Sequence, residues 1–326
     1  MTERKPMVMR DFLIEELYKR MFHNKDILFL SADFGSPVLD KLRSTFKDRF
    51  INVGIAEQNL VNISTGLALE GFVVYAYGIA PFISMRAYEQ IRINLCLLSH
   101  TRDINVNLIG VGAGLSYDFT GPTHHCLEDL AIMRVFPNLA LFSPADTVTI
   151  GKFVDYSITA KKPKYLRLDG KLLPDIYSNS DDIAMEKGFC EIVKGIDVCF
   201  VSTGYMTHTA LTIAEELKNA GLKIGVVDVF LLKPFDERLL CETLRRYTTV
   251  LTMEEAFTTG GGLGSLILDV IARNGLTMSV HKLGLEDRYS FEIGDRESLH
   301  NEHGLSKKEI IRLIRNDTLQ KEVLRI

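Results

Sequence analysis

A chain of 326 residues has room for about two domains with cores of their own, and 46% hydrophobic with 25% charged residues is an ordinary globular balance. The net charge of −4 offers no basic field for nucleic acid or for an anionic membrane surface. No apolar run reaches the roughly 18 residues that span a bilayer. The opening Met-Thr-Glu-Arg-Lys-Pro leads into an amphipathic segment rather than a secretory apolar core, so the expected location is cytoplasmic. Met9 to Phe22 reads as a helix with Phe12, Leu13, Leu17 and Met21 on one stripe. The run Ile27 to Leu30 is then a short buried strand, and Pro37 to Phe46 a helix.

The next unit organises the chain. An apolar strand ending in Phe50-Ile51 runs through Asn52 and Gly54 into a helix that continues to about Glu70. Its first two turns hold one carboxylate, Glu57, among Val53, Ile55, Ala56, Leu60, Val61 and Ile63. Burial among such neighbours disfavours the ionised form, so the pKa should rise, and an acid kept partly neutral can serve a basic nitrogen. The plainer reading is an acid that favours a helix N-terminus. Phe72 to Tyr75 is the following strand, Phe82 to Leu98 a helix, and Ile104 to Ile109 a strand feeding the glycine-rich Gly110 to Gly114. Leu139 to Phe142 and Lys164 to Arg167 are strands flanking a helix over Asp146 to Ala160. Continuous apolar strands alternating with helices predict a parallel sheet covered on both faces.

Asp169 to Asp182 breaks the rhythm with Gly, Pro, Asn, Ser and Asp, as a linker does. A second α/β unit follows, with strands at Asp197 to Val201, Lys223 to Asp228 and Thr249 to Thr252, and helices over about 207–219 and 236–246. Gly260-Gly-Gly-Leu-Gly264 opens another helix, to Ala272, and matches neither phosphate-loop pattern; close packing against a helix start is the simpler use. Cys96, Cys126, Cys190, Cys199 and Cys241 form no CxxC pair, which fits buried thiols in a reducing compartment rather than disulfides or zinc.

Four stretches, in this order and spacing, resemble the transketolase family of thiamine-diphosphate enzymes. Gly54 to Gln58 resembles the turn carrying the cofactor-activating glutamate, and Phe82 with Arg86-Ala-Tyr-Glu-Gln-Ile-Arg92 resembles the aromatic-led helix after it. Gly121-Pro-Thr-His124-His125, Leu127 to Leu130 and Arg134 with Pro137 resemble the substrate-histidine loop and its helix. Thr252 to Glu255, Gly260-Gly-Gly and Gly284-Leu with Asp287 resemble the C-terminal domain. The resemblance implies an α/β fold of two three-layer αβα domains with mostly parallel sheets: a pyrimidine-binding domain over 1–170, a linker over 171–182 and a C-terminal domain over 183–326. It implies that Glu57, Phe82, Arg86 and Ile55 bind thiamine diphosphate. Glu57 would favour the imino tautomer of its pyrimidine and Phe82 would stack on that ring. His124 would meet the substrate oxygen near the reacting carbons, with Lys171 toward the substrate's far end. His124, His125 and Cys126 also raise a metal, but neighbours in sequence rarely converge on one ion, so no metal ligand is expected in this chain.

Two departures matter. The GDG motif with a following Asn, which holds Mg²⁺ and the diphosphate in this family, has no match here, since Asp169-Gly170 follows a Leu. The resemblance then implies a separate N-terminal subunit supplying those ligands, around a homodimer of this chain in an α2β2 heterotetramer. Second, Thr120 replaces the Asp before Gly-Pro-Thr-His, while Gly110 and Gly170 or Lys171 stand where phosphate-binding His and Arg are expected. The expected reaction is transfer of a two-carbon ketol unit between sugar or keto-acid substrates, with a substrate whose far end is not a simple phosphate. Decarboxylative ligation, as in 1-deoxyxylulose-5-phosphate synthase or the 2-oxo-acid dehydrogenase β subunit, is the enzymatic alternative. A non-catalytic regulatory subunit is the non-enzymatic one.

Overall fold

The computed structural model describes residues 6–180 and 183–323, with side chains described as far as Arg315; positions 181 and 182 of the expected linker and both ends of the expected domain ranges lie outside the described residues. The first helix, α1 (Met9–His23), buries the stripe read from the sequence. Strand β1 (Ile27–Ser31) is buried along its whole length, and α2 (Pro37–Thr45) starts at Ser36, whose hydroxyl accepts from the Val38 amide. Then come β2 (Phe50–Asn52), α3 (Glu57–Leu69) and β3 (Val73–Ile79). The stretch 82–98, read as a plain helix, is helical and continues to 100, wound largely in wide π-turns; we call 82–100 α4. Strand β4 (Val106–Val111), the short α5 (Asp129–Arg134), β5 (Ala140–Phe142), α6 (Thr147–Thr159) and β6 (Lys164–Leu168) complete the first unit.

These strands lie parallel in the order 2-1-3-4-6-5. Alternate residues of β1 and β3 face opposite cores: Leu28, Leu30, Val74 and Ala76 on one side, Ile27, Phe29, Tyr75 and Tyr77 on the other. That two-sided burial is why these strands read as unbroken apolar runs.

The second unit has β7 (Cys190–Val193), β8 (Asp197–Ser202), α7 (Tyr205–Asn219), β9 (Gly225–Asp228) and β10 (Leu231–Lys233). It continues with α8 (Glu237–Leu244), β11 (Tyr247–Phe257), α9 (Leu263–Arg273), β12 (Ser279–Leu285), α10 (Arg296–Glu302) and α11 (Lys307–Val323). Its sheet runs 12-11-8-9-7, parallel except for β7 against β9. Strand β10 leaves this sheet and joins the first one, antiparallel to β5, and one apolar core runs from Leu30 through to Val227 and Val250. The linker also packs: Tyr177 is buried, and its hydroxyl donates to Asp228 at 2.8 Å.

Candidate active site

Chemistry-bearing residues gather where the parallel strands of the first sheet end, the usual place for a ligand crevice. After β2, Gly54 takes a left-handed φ of +75°. The Asn52 side-chain oxygen accepts from the Gly54 amide at 3.0 Å and its amide donates to Asp33 at 2.8 Å, which fixes the turn. Glu57 opens α3 only 3% exposed, while Ile55 two residues earlier is 75% exposed. The expected apolar surroundings of Glu57 are incomplete. Arg86, from the first π-turn of α4, donates through Nη1 to Glu57 Oε2 at 2.7 Å, and is the carboxylate's only hydrogen-bond partner among the described residues.

Arg86 and Phe82 are four residues apart, so they share a face, and the guanidinium lies 4.7 Å from the centre of the Phe82 ring. Phe82 in turn meets the His124 ring edge-on at 5.3 Å. Glu57, Arg86, Phe82 and His124 therefore form one continuous wall, drawn from three separate segments. His124 Nδ1 lies 3.0 Å from the Thr123 hydroxyl. His125 and Cys126 turn inward: burial lowers the pKa of His125 and raises that of the Cys126 thiol well above its ordinary value. Among the described residues no group of three or more His, Cys, Asp or Glu is placed to hold a metal ion.

Lys171 stands after β6, and its ammonium donates to the buried Asp118 at 2.7 Å. Gly110 is interior to β4, where a Cβ would lie 2.7 Å from the Tyr165 hydroxyl, so no histidine fits there. A Cβ at Gly170 would stand 2.7 Å from the Tyr117 ring.

The second unit adds residues that the sequence marked without a role. Glu254 accepts from the amides of Leu263 at 2.6 Å and Gly264 at 2.7 Å, the first turn of α9. A Cβ on Gly262 would lie 2.1 Å from that carboxylate, which is the close packing expected of the glycine run. Glu255 sits in a buried cluster with Arg296, His300 and Asp169. Burial works to raise its pKa, but Arg296 and His300 outweigh it and hold the carboxyl well below the usual range. Arg296 was missed from sequence because Gly-Asp-Arg-Glu-Ser reads as a solvated loop.

Residues 5–175 match the family model of the transketolase pyrimidine binding domain, and residues 190–310 match that of the transketolase C-terminal domain. The chain belongs to the transketolase family. An apulose-4-phosphate transketolase subunit of Actinobacillus succinogenes is 32% identical over 305 residues, covering 93% of this chain and 96% of that one. The 6-deoxy-6-sulfo-D-fructose transketolase subunit of Clostridium sp. is 28% identical, covering 96% and 95%. A solved split-gene transketolase, an inactive beta4 tetramer, superposes with a TM-score of 0.84 at 32% identity, over 95% of this chain and 98% of that chain. The protein is a transketolase-type transferase subunit, of a family that depends on thiamine diphosphate. A buried carboxylate joined through an arginine to an aromatic ring, where the strands of a parallel sheet end, suits the cofactor's aminopyrimidine. No helix among the described residues is long and apolar enough to cross a membrane.

Proposed function

We propose that this transketolase subunit supplies the pyrimidine side of a thiamine-diphosphate site and the substrate histidine, and that a second polypeptide supplies the diphosphate and Mg²⁺ side. The observation that carries the reading is the wall of Glu57, Arg86, Phe82 and His124. Glu57 presents its carboxyl to a pyrimidine ring nitrogen, and Arg86 fixes how that carboxyl points. Phe82 offers its ring face and the exposed Ile55 an apolar edge. When bound, the cofactor supplies the electron sink for breaking and making the carbon–carbon bond of a ketol transfer. His124 exchanges a proton with, or donates a hydrogen bond to, the substrate oxygen beside that bond.

The split arrangement is supported by the absence of a GDG…Asn pattern within these residues, and by near end-to-end matches to a chain named as one subunit of a transketolase and to a split-gene beta chain. We infer an oligomer of this chain combined with N-terminal subunits, α2β2 being the simplest. The named substrates of both relatives are sugars with an anionic group. Here the candidate cation Lys171 is already matched by Asp118, so a grip on such a group falls to the partner. The test is reconstitution. Alone, the chain should turn over no ketose; with an N-terminal chain carrying GDG…Asn it should become active. Full activity of the purified chain by itself would sink the split reading.

A further inference from the structure

Residues 112–128 leave β4 and return to α5 as a long loop, with His124 near its far end. The His124 ring is met by Thr123 and Phe82, neither of which fixes the course of the loop. Its neck is closed by paired backbone hydrogen bonds between Gly114 and Cys126, at 3.1 and 2.9 Å. Beyond the neck the anchors come from the other domain and from Lys171. The Leu115 amide donates to Glu255 Oε2 at 3.0 Å, and Gly114 lies so close that a Cβ would stand 2.1 Å from the same oxygen. Asp118 Oδ2 accepts from the backbone amide of Arg296 at 3.1 Å, while its Oδ1 accepts from Lys171.

Arg296 is held in turn from several sides. Its Nε and Nη2 fork onto the two Glu255 oxygens, both at 2.8 Å, and Nη2 also reaches Asp169 at 2.5 Å. The guanidinium lies 3.7 Å over the Tyr205 ring. Asp118, Asp169, Glu255 and Arg296 are all buried, so water does not loosen these contacts. The loop is thus clamped to β11 and α10 at two of its own residues, both upstream of His124.

We propose that Glu255 and Arg296 of the C-terminal domain, gripping Leu115 and Asp118, are positioning residues that hold the His124 loop in its working place. The proposal rests on His124 meeting the substrate. It gives the C-terminal domain a part in the reaction although none of its residues lines the wall around Glu57.

Asp118→Ala is the first variant: it frees the loop from the Arg296 amide, and of the two groups it strands, Lys171 is partly exposed and rehydrates. In the two-subunit enzyme it should lower kcat/KM for a ketose donor by about tenfold or more, yet by less than about twofold when His124 is already Ala, since coupled residues are not additive. Deuterium exchange at the amides of 115–125 should quicken in Asp118→Ala and in Glu255→Gln, with α3 unchanged. An equal cost in both backgrounds, or loop exchange unchanged in both variants, overturns the proposal. Should Glu255→Gln fail to fold, Asp118→Ala alone decides. If His124→Ala keeps full activity, the reading of His124 falls, and loop exchange still decides whether the clamp exists.

Discussion

The strand ends of the two sheets, where a crevice is expected in each, are treated in opposite ways. In the first, Glu57 has a single hydrogen-bond partner among the described residues, Ile55 projects outward and His124 stands at the rim. In the second, the chain's own carboxylates occupy the crevice. Asp228 ends β9 under the hydroxyls of Tyr177 and Thr207, Glu254 takes two amides at the start of α9, and Glu255 takes Arg296, His300 and the Leu115 amide. A helix N-terminus beyond a parallel strand is a ready anion site, and Glu254 already fills it. One topology therefore yields a site where a carboxylate is left with one partner, and a joint between domains where each carboxylate has two or more.

The largest effect expected from this contrast is at Glu57. Glu57→Gln keeps the shape and loses the acid, so turnover of the two-subunit enzyme should fall by about 10²–10⁴, the range for a positioned acid–base group. Because Gln keeps the volume and an oxygen for Arg86, which is itself half-exposed and rehydrates, the melting temperature should move little. Exchange of the cofactor's thiazolium proton into deuterated buffer reports the step directly. An unchanged exchange rate would remove Glu57 from the assignment.

Glu254→Ala should behave in the reverse sense. It strands two buried amides, and at about 1–3 kcal/mol for each unmet donor the loss of stability should be about 2–4 kcal/mol, partly offset because the carboxyl itself was costly to bury. Glu254→Gln, which keeps the shape and one acceptor oxygen, should lose less than Glu254→Ala. An Ala variant that melts like the parent would show that the second crevice is not held by its carboxylates.

The open crevice was legible in sequence and the filled one was not. Glu57 stood out only as the lone acid in an apolar turn, with a helix N-terminus as the plainer reading and the cofactor role coming from the resemblance, while β1 and β3 read as apolar runs. Both signals are local. Arg296 finds Glu255 41 positions away and Asp169 127 away, and no periodicity reports such a meeting. The same holds for β10, three residues whose partner β5 lies in the other domain. Strands β7 and β12 escaped because edge strands are only partly buried and carry Glu191, His281 and Lys282 among their apolar residues. Arg86 was placed at the cofactor, but its ion pair with Glu57 depends on how the π-turn aims the side chain.

The mildest test concerns pH and sits in the filled crevice. Burial lifts the Asp228 carboxyl from its ordinary 3.8 to about 7, against the two hydroxyls that hydrogen-bond it. Between those values the folded chain binds a proton that the unfolded chain does not. Stability should therefore fall as pH rises through that window and level off above it, the reverse of a salt-bridged acid. Between pH 5 and pH 8 the share from this group is on the order of 2 kcal/mol. Asp228→Asn keeps the shape and cannot titrate, so its melting temperature should drop less over that interval than the parent's. Tyr177 ties the linker to this carboxyl, so the difference also measures how firmly the linker is pinned when Asp228 is charged. Parallel curves for parent and variant would mean that Asp228 is already ionised at pH 5, and that the second crevice holds a permanent charge there with hydroxyl partners alone.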